Sequence, residues 1–197
     1  MTRICVYCGS SPGANPRHRE AARLLGETMA GEKVGLVYGG GELGLMGEVA
    51  RAVLAGGGTV TGIIPGFLQQ RERVLGEAQE LIVVPDMHTR KRLMFERADA
   101  FVALPGGIGT LEELVEQLTW AQLGQHTKPI VIVDIAGFWR PLLALLEHMR
   151  AEGFIRESDR MSLIVVDRVE DVLPAVMRAR EAAERSGHKQ ESVDPRL

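Results

Sequence analysis

The residues with the most chemical potential fall in three stretches. The first is Pro105-Gly106-Gly107-Ile108-Gly109-Thr110-Leu111-Glu112-Glu113, where a glycine-rich turn leads into a helix-compatible run. Glycines let a backbone approach an anion closely, and the first amides of a helix have no partners inside it, so the turn suits a phosphate. A carboxylate such as Glu113 beside that phosphate could act on the sugar attached to it. The same residues admit a purely structural role, because Thr110 and Glu113 have the S/T-x-x-E spacing of a capping box. Spacing alone does not separate cap from catalyst.

The second stretch, Asp86-Met87-His88-Thr89-Arg90-Lys91-Arg92, reads as an N-cap followed by three cations in the first turns of a helix. Cations there oppose the helix dipole, which points to an anion nearby. The third, Gly39-Gly40-Gly41-Glu42-Leu43-Gly44, satisfies G-x-G-x-x-G. A dinucleotide fold expects that fingerprint after the first strand and an acidic residue at the end of the next; here it follows the second, and the next strand ends Ile63-Ile64-Pro65-Gly66. An NAD-linked oxidoreductase is therefore disfavoured. A further glycine turn, Gly9-Ser10-Ser11, follows the first strand. Cys5 and Cys8, the only cysteines, form a C-x-x-C within or beside a strand, with no second pair for zinc and no helix start to lower a thiol pKa. They read as buried small hydrophobes.

These loops need elements to hold them. Apolar, β-rich runs recur at Ile4–Cys8, Gly35–Tyr38, Val60–Ile64, Leu81–Val84, Phe101–Leu104, Ile130–Asp134 and Leu163–Val166. Helical spacing fills Pro16–Gly31, Leu43–Ala55, Met87–Ala98, Leu111–Leu123, Phe138–Glu152 and Val169–Arg180. The alternation predicts one α/β domain over residues 1–180, with a mainly parallel, doubly wound sheet of about seven strands. Such sheets bind ligands where strands end, which is where all three glycine turns fall. Residues 181–197 are polar and are expected to fray. A length of 197 residues, 45% hydrophobic and 25% charged, fits one globular domain. The net charge of −3 gives no excess of cations for nucleic acid. With no apolar run long enough to cross a bilayer and no signal-peptide core, the chain is expected to be cytoplasmic.

The glycine triplet, Met87-His88-Thr89-Arg90-Lys91 and Pro105 to Glu113 resemble the motifs of the Lonely Guy family, over roughly residues 3 to 178. These are cytokinin riboside 5′-monophosphate phosphoribohydrolases. The resemblance implies a homodimeric, Rossmann-like enzyme that cleaves N6-substituted AMP into free base and ribose 5-phosphate, with no cofactor and no metal. On matching positions it implies Arg90 and Glu113 as the catalytic pair. Glu72, Lys91, Gly107, Ile108, Gly109, Thr110, Leu111, Glu112 and Thr119 would line the nucleotide site, with Ser10, Gly40 and Gly41 from the other glycine turns. Similar sequences carry the label lysine decarboxylase, but the chain is short for that fold and shows no pyridoxal-phosphate lysine motif.

Glycosidic cleavage makes the sugar carbon cationic while water arrives opposite the departing base, and a carboxylate serves both needs. Glu113 would orient or deprotonate the water, and the Gly107–Thr110 amides would hold the phosphate. Arg90 would fix phosphate or ribose hydroxyls, or balance charge on the base, since its high pKa makes it a poor proton donor. The competing reading is a module that holds AMP-like nucleotides without turnover. Leu118 and Trp120, on the Leu111–Leu123 helix, are expected to face a second copy.

Overall fold

A computed structural model describes residues 1–69, 75, 76, 78–156 and 163–191, with backbone alone for 186–191. Its strands are β1 (Arg3–Tyr7), β2 (Gly35–Tyr38), β3 (Val60–Pro65), β4 (Glu80–Val84), β5 (Ala100–Ala103), β6 (Ile130–Val133) and β7 (Leu163–Val166). They form one parallel sheet in the order β4-β3-β2-β1-β5-β6-β7. The helices are α1 (Pro16–Gly31), α2 (Gly44–Ala55), α3 (Gly66–Gln69), α4 (Met87–Arg97), α5 (Ile108–Gln122), α6 (Arg140–Ala151) and α7 (Val172–Glu191).

Both sheet faces are covered, which explains why the central strands are apolar throughout instead of alternating. On one face Ile4, Val6, Leu36 and Val102 pack against α1, α2 and α7 through Leu25, Val49 and Val176. On the other, Cys5, Tyr7, Phe101 and Ile132 meet α4 and α5 through Met94, Leu114 and Leu118. The two cysteines belong to opposite layers, as strand alternation requires. Both are free and buried, and burial holds their thiols well above the ordinary range.

The strand runs agree with the sequence reading to within a residue or so. One helical expectation needs correction. Leu118 is 3% exposed and belongs to the core; the exposed apolar residues of α5 are Ile108 and Val115. Helix α7 runs to Glu191, over the first part of the polar segment 181–197, where Glu181, Ala182, Ala183, Glu184 and Arg185 are strong helix formers and Arg185 pairs with Glu181 one turn back; residues 192–197 lie outside the described residues. Among the described residues no helix is long and apolar enough to cross a membrane.

Building outward from β1 to β4, then returning to β5, reverses the strand order between β1 and β5. The loops after these two strands meet there: the Gly9 amide donates to the Pro105 carbonyl at 3.1 Å. That reversal is where an open α/β sheet leaves a crevice for ligand.

Candidate active site

Asp86 starts α4 by accepting from the Thr89 amide at 2.8 Å, and one turn later Arg90 turns in over the strand ends. Arg90 is 9% exposed. Its Nε donates to the Ile63 carbonyl at 3.1 Å, its Nη2 to the Gly39 carbonyl at 3.4 Å, and its Nη1 lies 3.4 Å from Glu113 Oε1. A buried guanidinium is tolerable only with such partners. The first glycine of the triplet is explained by this contact. A Cβ at Gly39 would fall 2.1 Å from Arg90 Nη2, so any larger residue displaces the arginine.

Glu113 comes from α5, which begins at Ile108 with Gly107 as its N-cap and no side-chain cap. The capping-box reading of Thr110 and Glu113 is thereby overturned. Thr110 already lies inside the first turn, buried against Gly106, where a Cβ would fall 2.2 Å from its Oγ1. Glu113 lies a turn further on and is free to meet Arg90. Its side chain is 12% exposed. Burial raises its pKa to about 7, and the attraction of Arg90 is too small to cancel that rise. A carboxyl poised near neutrality suits a general base.

The other cations do not need an outside anion, which corrects a second expectation. Lys91 Nζ lies 2.5 Å from Glu112 Oε1 and 2.9 Å from Glu116 Oε1. Burial lowers its pKa, but the two carboxylates outweigh burial and leave it raised. Arg92 is exposed, with Glu96 at 3.9 Å. The Arg90 and Lys91 ion pairs join α4 to α5 across more than twenty residues of sequence, a distance that helix periodicity does not reveal.

The remaining candidates divide. Ser10, Gly40, Gly41, Gly107, Ile108, Gly109, Thr110, Leu111 and Glu112 all lie on loops or first turns at the carboxyl edge of the sheet. A Cβ at Gly107 or Gly109 would meet nothing within 4 Å, so packing does not require glycine there, and the space beside the helix start is open. Thr119 is not brought to the pair within this chain. It sits about 9 Å along α5 from Glu113, on the exposed side, donating to the Val115 carbonyl at 2.8 Å. Glu72 lies outside the described residues.

A cavity of about 410 Å³ opens at the strand reversal, between the Gly9–Asn15 loop, Leu45, Pro105–Gly107 and Phe138. His18, which no sequence signal singled out, forms part of its wall. A larger cavity of about 560 Å³, between Met1, Val34 and Met177, lies at the opposite edge and contains none of the candidate residues.

A family model described as "Possible lysine decarboxylase" matches residues 46–176. The chain is 52% identical over 161 residues, 80% of its length and 70% of the relative's, to a rice protein named "Probable cytokinin riboside 5′-monophosphate phosphoribohydrolase LOGL9". It is 45% identical over 174 residues, 88% of each chain, to the "Cytokinin riboside 5′-monophosphate phosphoribohydrolase" of Rhodococcoides fascians. The chain belongs to the Lonely Guy family. A solved structure, the molybdenum cofactor carrier protein of Chlamydomonas reinhardtii, superposes with a TM-score of 0.66 over 90% of this chain and 97% of that one. At 21% identity that likeness concerns the fold alone. The decarboxylase description sits poorly with this Lonely Guy chain. A lysine that forms Schiff bases needs a depressed pKa, whereas Lys91, the lysine at the candidate site, is held as an ammonium between two carboxylates; Lys128, whose pKa burial lowers, lies before β6, away from the site, and donates to the Phe95 carbonyl.

Proposed function

We propose that the protein is a phosphoribohydrolase that cleaves the N-glycosidic bond of AMP-type nucleotides, N6-substituted ones included, into free base and ribose 5-phosphate. The observation that carries this reading is the buried Arg90–Glu113 pair, set beside the uncapped start of α5 at the sheet's carboxyl edge. The names of its relatives supply the substrate class.

The 5′-phosphate sits against the free amides of Ile108 to Thr110, where the open space beside Gly107 and Gly109 admits it. The ribose then lies along α5 toward Glu113. As the bond from the anomeric carbon to the purine lengthens, its electron pair leaves with the base and the sugar becomes cationic. Glu113, in its carboxylate form, offsets that charge and takes a proton from the attacking water, whose oxygen forms the new bond to carbon. Arg90 is a positioning residue. Two backbone carbonyls fix its guanidinium, and Nη1 holds Glu113 in place and favours its carboxylate form against the effect of burial. The departing base is protonated from solvent.

Two identical chains form the working unit. This is supported by the family and by apolar side chains exposed on α5 and α6, namely Ile108, Val115, Leu145 and Met149. Thr119 and the second copy would meet on the same face of α5 as Val115. The test of function is incubation with AMP and isopentenyl-AMP, with base and ribose 5-phosphate quantified by chromatography. Equimolar release supports hydrolysis; tight binding with neither product would make the protein a nucleotide-binding module.

A further inference from the structure

We propose that His18 is a further substrate-binding residue, donating an imidazole N–H to the nucleotide's 5′-phosphate in the cavity between α1 and α5. Three observations converge on it. His18 is 9% exposed and lines the cavity at the strand reversal. No hydrogen-bond partner is found for its ring among the described residues, and its ring meets Phe138 edge-on at 5.6 Å between centroids. The ring is mostly buried, but its nitrogens are not sealed off, so an N–H stays available to a ligand arriving in the cavity. The same cavity is walled by Ser10 and by Gly107, the N-cap of α5, whose first turn has no side-chain cap. An anion there meets helix amides on one side and the imidazole on the other.

The assignment rests on the phosphoribohydrolase reading for its choice of phosphate over base. Glu113 lies about 9 Å along α5 from Gly107. With the anomeric carbon at Glu113, the ribose carries the phosphate back to the helix start and the base points away from His18. Packing also reserves the position of the ring. Gly13, at φ +71°, would bring a Cβ to 3.0 Å from His18 Nδ1, and Phe138 closes the opposite side.

The experiment combines kinetics with titration of ribose 5-phosphate, inorganic phosphate and adenine. His18→Phe keeps the aromatic packing and removes the donor. It is expected to raise KM for AMP and Kd for ribose 5-phosphate about tenfold, with kcat within about threefold and adenine affinity unchanged. His18→Gln restores a donor and is expected to recover most of the loss. In the wild-type protein, ribose 5-phosphate should shift the His18 side-chain nitrogen resonances, which tests the contact even if a variant fails to fold. Unchanged resonances, an unchanged Kd in His18→Phe, or an equal loss of adenine binding would each overturn the proposal. If AMP is cleaved while the His18 resonances stay fixed, the reaction stands and this assignment falls. If phosphate shifts them and no base is released, the contact stands and the hydrolase reading falls.

Discussion

Replacing Glu113 with glutamine should make the folded protein more stable above neutral pH while removing its activity. In the folded chain, burial raises the carboxyl pKa from its ordinary 4.5 to about 7, against the pull of Arg90. The native state therefore holds the proton more tightly than the unfolded chain does. The stability that proton binding contributes is complete below pH 4.5, declines between 4.5 and 7, and is absent above 7. At ~1.4 kcal/mol per unit, that decline is about 3 kcal/mol, a large share of a typical domain's stability. Glutamine is neutral at every pH and nearly the same shape. Urea denaturation should therefore give similar stabilities for variant and wild type near pH 4.5, and an advantage approaching 3 kcal/mol for the variant at pH 8. The same variant should lose about 10²- to 10⁴-fold in kcat, since an amide accepts no proton from water and carries no charge to offset a cationic sugar. Parallel stability curves across this range would refute the titration argument. Wild-type turnover in the folded variant would remove Glu113 from the chemistry.

Other outcomes follow from the same geometry. With Glu113 acting as a carboxylate, kcat/KM for AMP should rise with pH through an inflection near 7 and then level off; a profile that falls through the same point would make it an acid instead. Gly39→Ala places a methyl 2.1 Å from Arg90 Nη2 and should cost at least about 100-fold in kcat/KM while circular dichroism stays native, and wild-type activity would detach Arg90 from the site. Light scattering at micromolar concentration should give twice the chain mass, and a fully active monomer would exclude a shared site.

The sheet was legible because strands covered on both faces are written as unbroken apolar runs, such as Ile130 to Val133, separated by helical spacing. The start of α5 was harder to read. Thr110 and Glu113 imitate a capping box, and only the backbone shows the helix beginning three residues earlier, after a glycine that caps without a side chain. The cation run after Asp86 suggested an anion because its true partners, Glu112, Glu113 and Glu116, arrive from another helix. Arg90 and Glu113 were marked by motif resemblance, but not the reason that residue 39 is glycine, which depends on α4 crossing β2 and β3. His18 gave no signal because a single histidine in an amphipathic helix reads as a surface or core residue until the cavity beside it is seen.

The central claim is that the start of α5 holds a phosphate while Glu113 acts on the sugar attached to it. The most direct measurement is kcat/KM for AMP against adenosine, which share base, sugar and scissile bond, with free adenine quantified in both reactions. Charge-assisted contacts are worth roughly 1.5–3 kcal/mol each, so losing two should cost adenosine on the order of 10²- to 10⁴-fold. A ratio in that range, repeated for isopentenyl-AMP against isopentenyladenosine, is the predicted result. Equal values within either pair would contradict it, because the helix start beside Gly107 would then contribute nothing to the reaction.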